Sequence, residues 1–326
     1  MSGPDGARPP QLATRKAGAG SYYGLPVVKE PVWRSPETPG YLFLGGLAGA
    51  SSVLAAFAQA AGNRELARAS KTGAVAAIGL GGVALVIDLG RPARFVNMLR
   101  VFKVSSPMSI GVWLLTGYGP AAAAAAACAV TGRLPRVGAA ASAAAAALGT
   151  GVATYTAALI CDTATPAWHE AHREMPYLFA GSAATAAAGL GMLATGPAAS
   201  RQARRFAVIG AATELIAKNT MLQRPGVPAV PYQKGRAGQL MRAAEVLLIA
   251  GAAGALAAGR SRPAGALAGL ALLASSALTR FGVFLAGQAS ARDPSYTVGP
   301  QRERQDAAQQ ACVGVAGTGT MAPPSV

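Results

Sequence analysis

The run Asp88-Leu-Gly-Arg-Pro-Ala-Arg-Phe-Val-Asn-Met-Leu-Arg-Val-Phe-Lys-Val-Ser-Ser-Pro-Met-Ser109 decides the fold. It lies between two long apolar segments. Pro92 lacks an amide hydrogen and clashes with the preceding turn, so Gly90 and Pro92 end the helix that leads into the run. Arg91, Arg94, Arg100 and Lys103 are costly in hydrocarbon, which puts this stretch at a membrane interface. Asp88 closes the preceding apolar segment, where an acid needs a partner. Phe95, Met98, Leu99 and Phe102 recur at helical spacing. The run reads as a short amphipathic helix on the membrane surface, with an acid at its start and arginines around it.

Composition agrees with a membrane setting. Of 326 residues, 52% are hydrophobic and 13% charged, the proportions of a polytopic membrane protein. The formal net charge is +16. The cations punctuate apolar runs, the pattern of interface anchoring and topology control, so lipid and not nucleic acid is the expected partner of this charge. Cys128, Cys161 and Cys312 are far apart and form no C-x-x-C pair. The chain is therefore expected to hold no iron–sulfur cluster, no structural zinc and no disulfide framework.

Outward from the deciding stretch, apolar runs fall at about 39–61, 72–89, 108–130, 137–160, 177–195, 206–221, 243–258 and 263–286. A span needs roughly 20 apolar residues. The expected fold is an all-α integral membrane protein with about eight transmembrane helices, or seven if the short sixth run is re-entrant. Gly45, Gly46 and Gly49 in the first run let helices approach closely. Residues 1–38 form a polar, partly disordered tail without the apolar core of a cleavable signal, so the first helix would direct insertion. Residues 162–176 form a polar loop, and 288–326 a second tail. An even helix count puts both tails on one face. The stretches 62–71, 131–136, 196–205 and 259–262 are short and basic and belong to the other face. The positive-inside rule leans toward those short loops being cytoplasmic. The longer, aromatic and acidic connections share the tail-bearing face, where chemistry is expected.

A haem held across a helical bundle needs histidines inside the spans, and His169 and His172 both lie in one loop. The run Trp168-His-Glu-Ala-His-Arg-Glu174 is not an H-E-x-x-H motif, because only two residues separate the histidines. Inside the spans, Glu214 and Lys218 are four apart and able to pair on one helix face. Glu245 and Arg280 fall near the ends of their runs, where Arg280 can snorkel. These four outline an alternative proton path. Asp88, Glu37 and Tyr155 converge near the tail-bearing ends of the first four helices. Two acids and a phenol at membrane depth suit a quinol, whose oxygens need hydrogen-bond partners and whose protons need tunable groups. Trp33, Tyr41 and Trp113 are candidates for an aromatic wall around the headgroup. The plainer reading of Asp88 is a loop staple to Arg91 or Arg94.

The same deciding stretch resembles the signature of the NrfD-type, polysulfide reductase membrane-anchor family. Pro39-Gly-Tyr-Leu-Phe-Leu-Gly-Gly-Leu-Ala-Gly49, Tyr155-Thr-Ala-Ala-Leu159, Pro166-Ala-Trp168 and Met175-Pro-Tyr-Leu-Phe179 fit it as well. The end, from Arg280 to Val298, resembles the branch of high-GC Gram-positive bacteria. The resemblance implies two four-helix groups, at 39–161 and 177–287, with a quinone site in the first. It implies menaquinone or another quinone as exchangeable substrate and no haem. It also implies a ferredoxin-like iron–sulfur subunit as partner, a molybdopterin-type catalytic subunit beyond it, and location in the cell membrane. Tyr155 matches the family's fourth-helix tyrosine, Asp88 the acid of Asp-Leu-Gly-Arg-Pro, and Glu37 the place of a polar quinone ligand. Some relatives carry a first-helix histidine there; this chain has none. The expected function is electron exchange between quinone and the iron–sulfur partner, with Arg91 and Arg94 holding the surface helix and the partner. The rivals are the proton path and a purely structural anchor for a peripheral enzyme.

Overall fold

The computed structural model describes residues 28, 31, 33, 35–89, 97, 99, 100, 102–226, 228–259 and 261–296. Among them every regular element is a helix. In chain order these are α1 (Glu37–Ala60), α2 (Arg64–Leu89), α3 (Pro107–Thr131), α4 (Pro135–Cys161), α5 (Pro166–Glu170), α6 (Met175–Ala194), α7 (Arg201–Gln223), α8 (Val230–Gln233), α9 (Gly235–Ala257) and α10 (Arg262–Arg292). Seven of the eight long helices are long and apolar enough to cross a membrane. The exception is α7, whose sequence carries Arg201, Arg204, Arg205, Glu214 and Lys218.

Contacts at its ends show that α7 crosses the bundle nevertheless. At its start, Asn63 Nδ2 donates to Gln202 Oε1 and, at 2.7 Å, to the Ala199 carbonyl, while Arg204 donates to Gly259 O at 2.9 Å. At its far end, Arg224 pairs with Glu174 at 3.0 Å and donates to Glu170 O. The first set lies among the short loops and the second beside α5, so the helix is not re-entrant. Its 23 residues span about 34 Å at 1.5 Å each.

Two other helices begin earlier than hydropathy suggests. The stretch 62–71 is not a loop: α2 starts at Arg64, and only 61–63 turn. Asn63 Oδ1 accepts from Leu66 N at 3.2 Å, capping the helix, and Glu65 lies in its first turn. Leu66 and Ala67 face inward while Arg64 and Arg68 stay exposed, so an amphipathic turn replaces the expected loop. Likewise α9 starts at Gly235, with Met241 packed under Gly282 and Arg236 and Arg242 exposed. The last helix runs on to Arg292.

Helices α1 and α6 form the centre. Each packs on the other, and both touch α4 and α10. Three pairs of glycines bring backbones into contact: Gly49 with Gly149 (α1 and α4), Gly181 with Gly210 (α6 and α7), and Gly189 with Gly269 (α6 and α10). A Cβ on Gly49 would lie 2.2 Å from the Gly149 carbonyl oxygen. An apolar groove of about 210 Å³ opens between α1, α4, α6 and α7, lined in part by Ala50, Ala153, Ala180 and Phe206.

On the tail-bearing face α5 packs into the bundle. Trp168 is fully buried, donates Nε1–H to Val283 O at 2.8 Å and lies over Gly287. Ser290 Oγ accepts from Ala167 N at 3.2 Å, and Tyr232 donates its hydroxyl to Ala167 O at 2.8 Å. Tyr232 lies outside the spans, and burial pushes its hydroxyl above the usual phenol range. What the sequence reads as a polar loop is therefore a packed platform at its centre.

Candidate functional site

Tyr41, Asp88 and Tyr155 come together from α1, α2 and α4 at the tail-bearing end of the bundle. Tyr41 is buried and lies within electrostatic reach of both Tyr155 and Asp88. Glu37 stands four residues before Tyr41, on the same side of α1. Its Oε2 is buried with no hydrogen-bond partner among the described residues. Asp88 is half-buried and engaged in a contact of its own. The half-buried Tyr155 ring packs against Gly111 of α3, where an added Cβ would sit 2.3 Å from Cε2. Helices α1, α2 and α4 thus bring one carboxyl and two phenols together, Gly111 of α3 admits the Tyr155 ring, and Glu37 stands one turn before Tyr41. Tyr118, unremarked in the sequence, is buried about two turns from Gly111 on α3 and donates to Ala48 O at 2.6 Å. Only its place as a phenol inside an alanine-rich span pointed to it.

The other aromatic candidates go elsewhere. Trp113 is 41% exposed on the outer side of α3 and meets Phe102 edge-on at 5.9 Å. Two residues past Gly111, it is turned well away from Tyr155 by the helical repeat. Trp33 stacks on Trp168 at 5.7 Å, which in turn stacks on Phe284, and accepts a hydrogen bond from Gln288 at its carbonyl. It belongs to the platform, and it ties the start of the bundle to its end. Arg91 and Arg94, and most of the surface helix expected after Asp88, lie outside the described residues.

The exposed histidines sit on the platform. The Nδ1 atoms of His169 and His172 lie 3.3 and 2.9 Å from the carbonyls of Cys161 and His169. A carbonyl only accepts, so each Nδ1 donates. Their ring centroids are 6.2 Å apart.

A second cluster fills the other half of the bundle, and its pairing differs from the sequence expectation. Lys218 does not close an intrahelical pair with Glu214; its Nζ meets Glu245 Oε2 of α9 at 2.7 Å. Glu214 is buried and turns toward α10, where its Oε1 accepts from Thr279 Oγ1 at 2.8 Å. Thr185 of α6 reaches Oε2 at 3.5 Å. Glu245 is mid-helix, not terminal, because α9 starts early. Arg280 does not snorkel. It is fully buried, its guanidinium 3.6 Å above the Phe179 ring centroid, with Nη2 donating to Phe179 O at 2.8 Å. Gly46 of α1 makes room for it: a Cβ there would lie 3.1 Å from Nη2. Thr279, adjacent to Arg280 in sequence, is a partner the sequence reading missed; a hydroxyl beside an intramembrane charge was the available signal.

No curated protein matches the chain. The model of the family described as Polysulphide reductase, NrfD matches residues 29–217. That span holds Glu37, Tyr41, Asp88, Tyr155 and Glu214 and covers more than half of the chain. With its all-helical membrane bundle and its cluster of acids and phenols on the tail-bearing face, the chain belongs to the NrfD family of membrane subunits of quinone-linked oxidoreductase complexes.

Proposed function

We propose that this chain exchanges electrons between the quinone pool and an iron–sulfur partner docked on the tail-bearing face, with protons released or taken up at the same site. The observation that carries the reading is the meeting of Tyr41, Asp88 and Tyr155, with Glu37 on the same side of α1. Quinol oxidation frees two electrons and two protons, and quinone reduction takes up the same. The electrons pass through the partner's clusters. The carboxylates of Asp88 and Glu37 accept the protons, and the Tyr155 hydroxyl hydrogen-bonds a headgroup oxygen. Gly111 leaves the space in which the Tyr155 ring is held. Menaquinone or another quinone is the exchangeable substrate. The partner is a ferredoxin-like subunit, with a molybdopterin-type catalytic subunit beyond it, in the cell membrane. Arg91 and Arg94 hold the surface segment and the partner. In this reading Trp33 serves the platform and Trp113 faces lipid.

Binding of a quinol analogue to the purified complex tests the proposal. Asp88→Asn and Tyr155→Phe should each weaken binding by about tenfold, the loss of roughly one hydrogen bond to a buried group. Unchanged affinity in both variants of a well-folded complex overturns the assignment and leaves the structural-anchor reading. Gly111→Ala offers an independent check. Its Cβ forces the Tyr155 ring to move, so affinity should fall about as far as in Tyr155→Phe although no polar atom is removed. Wild-type affinity in Gly111→Ala would separate Tyr155 from the site.

A further inference from the structure

We infer that an anionic phospholipid binds at the short-loop end of the seam between α2 and α3, with Lys71 holding its phosphate. Cys128, within electrostatic reach of Lys71, lies about 25 Å along α3 from Gly111 at 1.5 Å per residue. The inference therefore stands independently of the quinone reading.

Lys71 is a buried cation without an acid beside it. It is 8% exposed. Its Nζ donates to Gln59 Oε1 of α1, and the other two N–H bonds have no partner among the described residues. The titratable group within its electrostatic reach is the Cys128 thiol of α3. A buried ammonium is costly until an anion meets it. Glu65 is the one acid in 61–71, 131–136, 195–205 and 258–262, against ten cations. Its Oε1 accepts from Gly196 N at 2.8 Å, and no ion pair joins it to Arg64, Arg68 or Lys71.

The spacing along α2 describes an amphiphile. Arg64, Arg68 and Lys71 recur at i, i+4 and i+7 on one helix face. The two arginines are exposed and Lys71 is buried, so positive charge leads from the surface into the seam. The same face continues with Val75 and Ile78, half-buried and packed in one apolar cluster with Tyr118 and Ala122 of α3. On α3, Cys128, Ala124 and Ala121 are half-buried at helical spacing. Helix α2 packs chiefly on α1 and α3 chiefly on α4, so the two meet lightly along this line.

Cations at the end of the seam and an apolar strip along it match a phosphate headgroup and an acyl chain. A free inorganic anion would use only the first. Basic pockets between membrane helices are a known kind of anionic-headgroup site, and a lysine serves phosphate as a point charge.

Native mass spectrometry of the full chain in detergent, titrated with phosphatidylglycerol or with phosphatidylcholine of the same acyl chains, tests this. The wild type should bind one phosphatidylglycerol about tenfold tighter than phosphatidylcholine, the effect of one charge-assisted contact. Lys71→Met should remove most of that preference. Arg68→Gln, an exposed change, should weaken phosphatidylglycerol binding about fivefold. Arg262→Gln, which removes one charge at the start of α10, should bind as the wild type does. Inorganic phosphate at millimolar concentration should not displace the lipid. Equal wild-type affinity for the two lipids overturns the inference. So do equal losses in Arg68→Gln and Arg262→Gln, which would mean diffuse surface charge, and displacement by inorganic phosphate, which would mean a free-anion site. The wild-type and Arg68→Gln titrations decide even if Lys71→Met does not fold.

Discussion

Leucine at Gly149 is expected to keep α1 and α4 apart and to cost more stability than any other single change on the first-helix interface. A Cβ on Gly149 already lies 2.7 Å from the Gly49 carbonyl oxygen and 3.2 Å from its Cα. The obstructing atoms are backbone, so no rotamer change relieves the clash and the whole helix must move. Overpacking of a tight core costs typically about 1–3 kcal/mol, and a clash against backbone belongs at or above the top of that range. Spreading α1 from α4 also separates Tyr41 from Tyr155, so stability and quinol-analogue affinity should fall together. Gly45→Ala is the matched control. Its Cβ would meet only Val152 Cγ1, at an ordinary 3.9 Å, and it should behave as wild type. Thermal unfolding in detergent with size-exclusion chromatography reads both. Equal unfolding temperatures for Gly149→Leu and Gly45→Ala would show that the glycine contact does not set the spacing.

Arg280→Met is the second large effect. The change removes a fully buried guanidinium, its stacking on Phe179 and its hydrogen bond to the Phe179 carbonyl. It leaves Glu214 buried without its neighbouring cation. Breaking a buried charge arrangement by removing one partner costs about 3–5 kcal/mol, whereas replacing both by groups of similar volume is often neutral. The single variant should therefore be strongly destabilised, and Arg280→Met combined with Glu214→Gln should recover most of the loss. A double variant as unstable as the single would show that Arg280 contributes through Phe179 and the packing beside Gly46, and not through Glu214. Unfolding of the three variants side by side gives the answer directly.

The membrane class and the approximate helix count were legible in the chain, because hydropathy is a property of each segment alone. Burial in lipid imposes helix on any such segment whatever its neighbours. The same logic failed at three places. The starts of α2 and α9 are amphipathic, so counting apolar residues placed them too far in. The stretch around Trp168 is polar by composition yet closed by packing, since Gly287 leaves the only kind of surface on which an indole ring fits so closely. The crossing of α7 was blurred by its charges, which are stabilised by partners on α9 and α10 that no local window contains.

For the sites, the sequence by itself marked which ionisable residues fall within apolar runs, but it missed Tyr118 and put Glu245 and Arg280 near helix ends, where the structure has one mid-helix and the other fully buried. It brought Asp88, Glu37 and Tyr155 to one end of the bundle, and spacing along a helix was enough for that. Only the tertiary structure decided who meets whom. Trp33 and Trp113 turn away from Tyr155, Tyr41 turns toward it, and Lys218 chooses Glu245 over Glu214. These outcomes depend on the rotation of each helix about its axis and on how closely glycines let neighbours approach. Helix rotation and contact distance are set by all the helices at once, and no single stretch of chain encodes them.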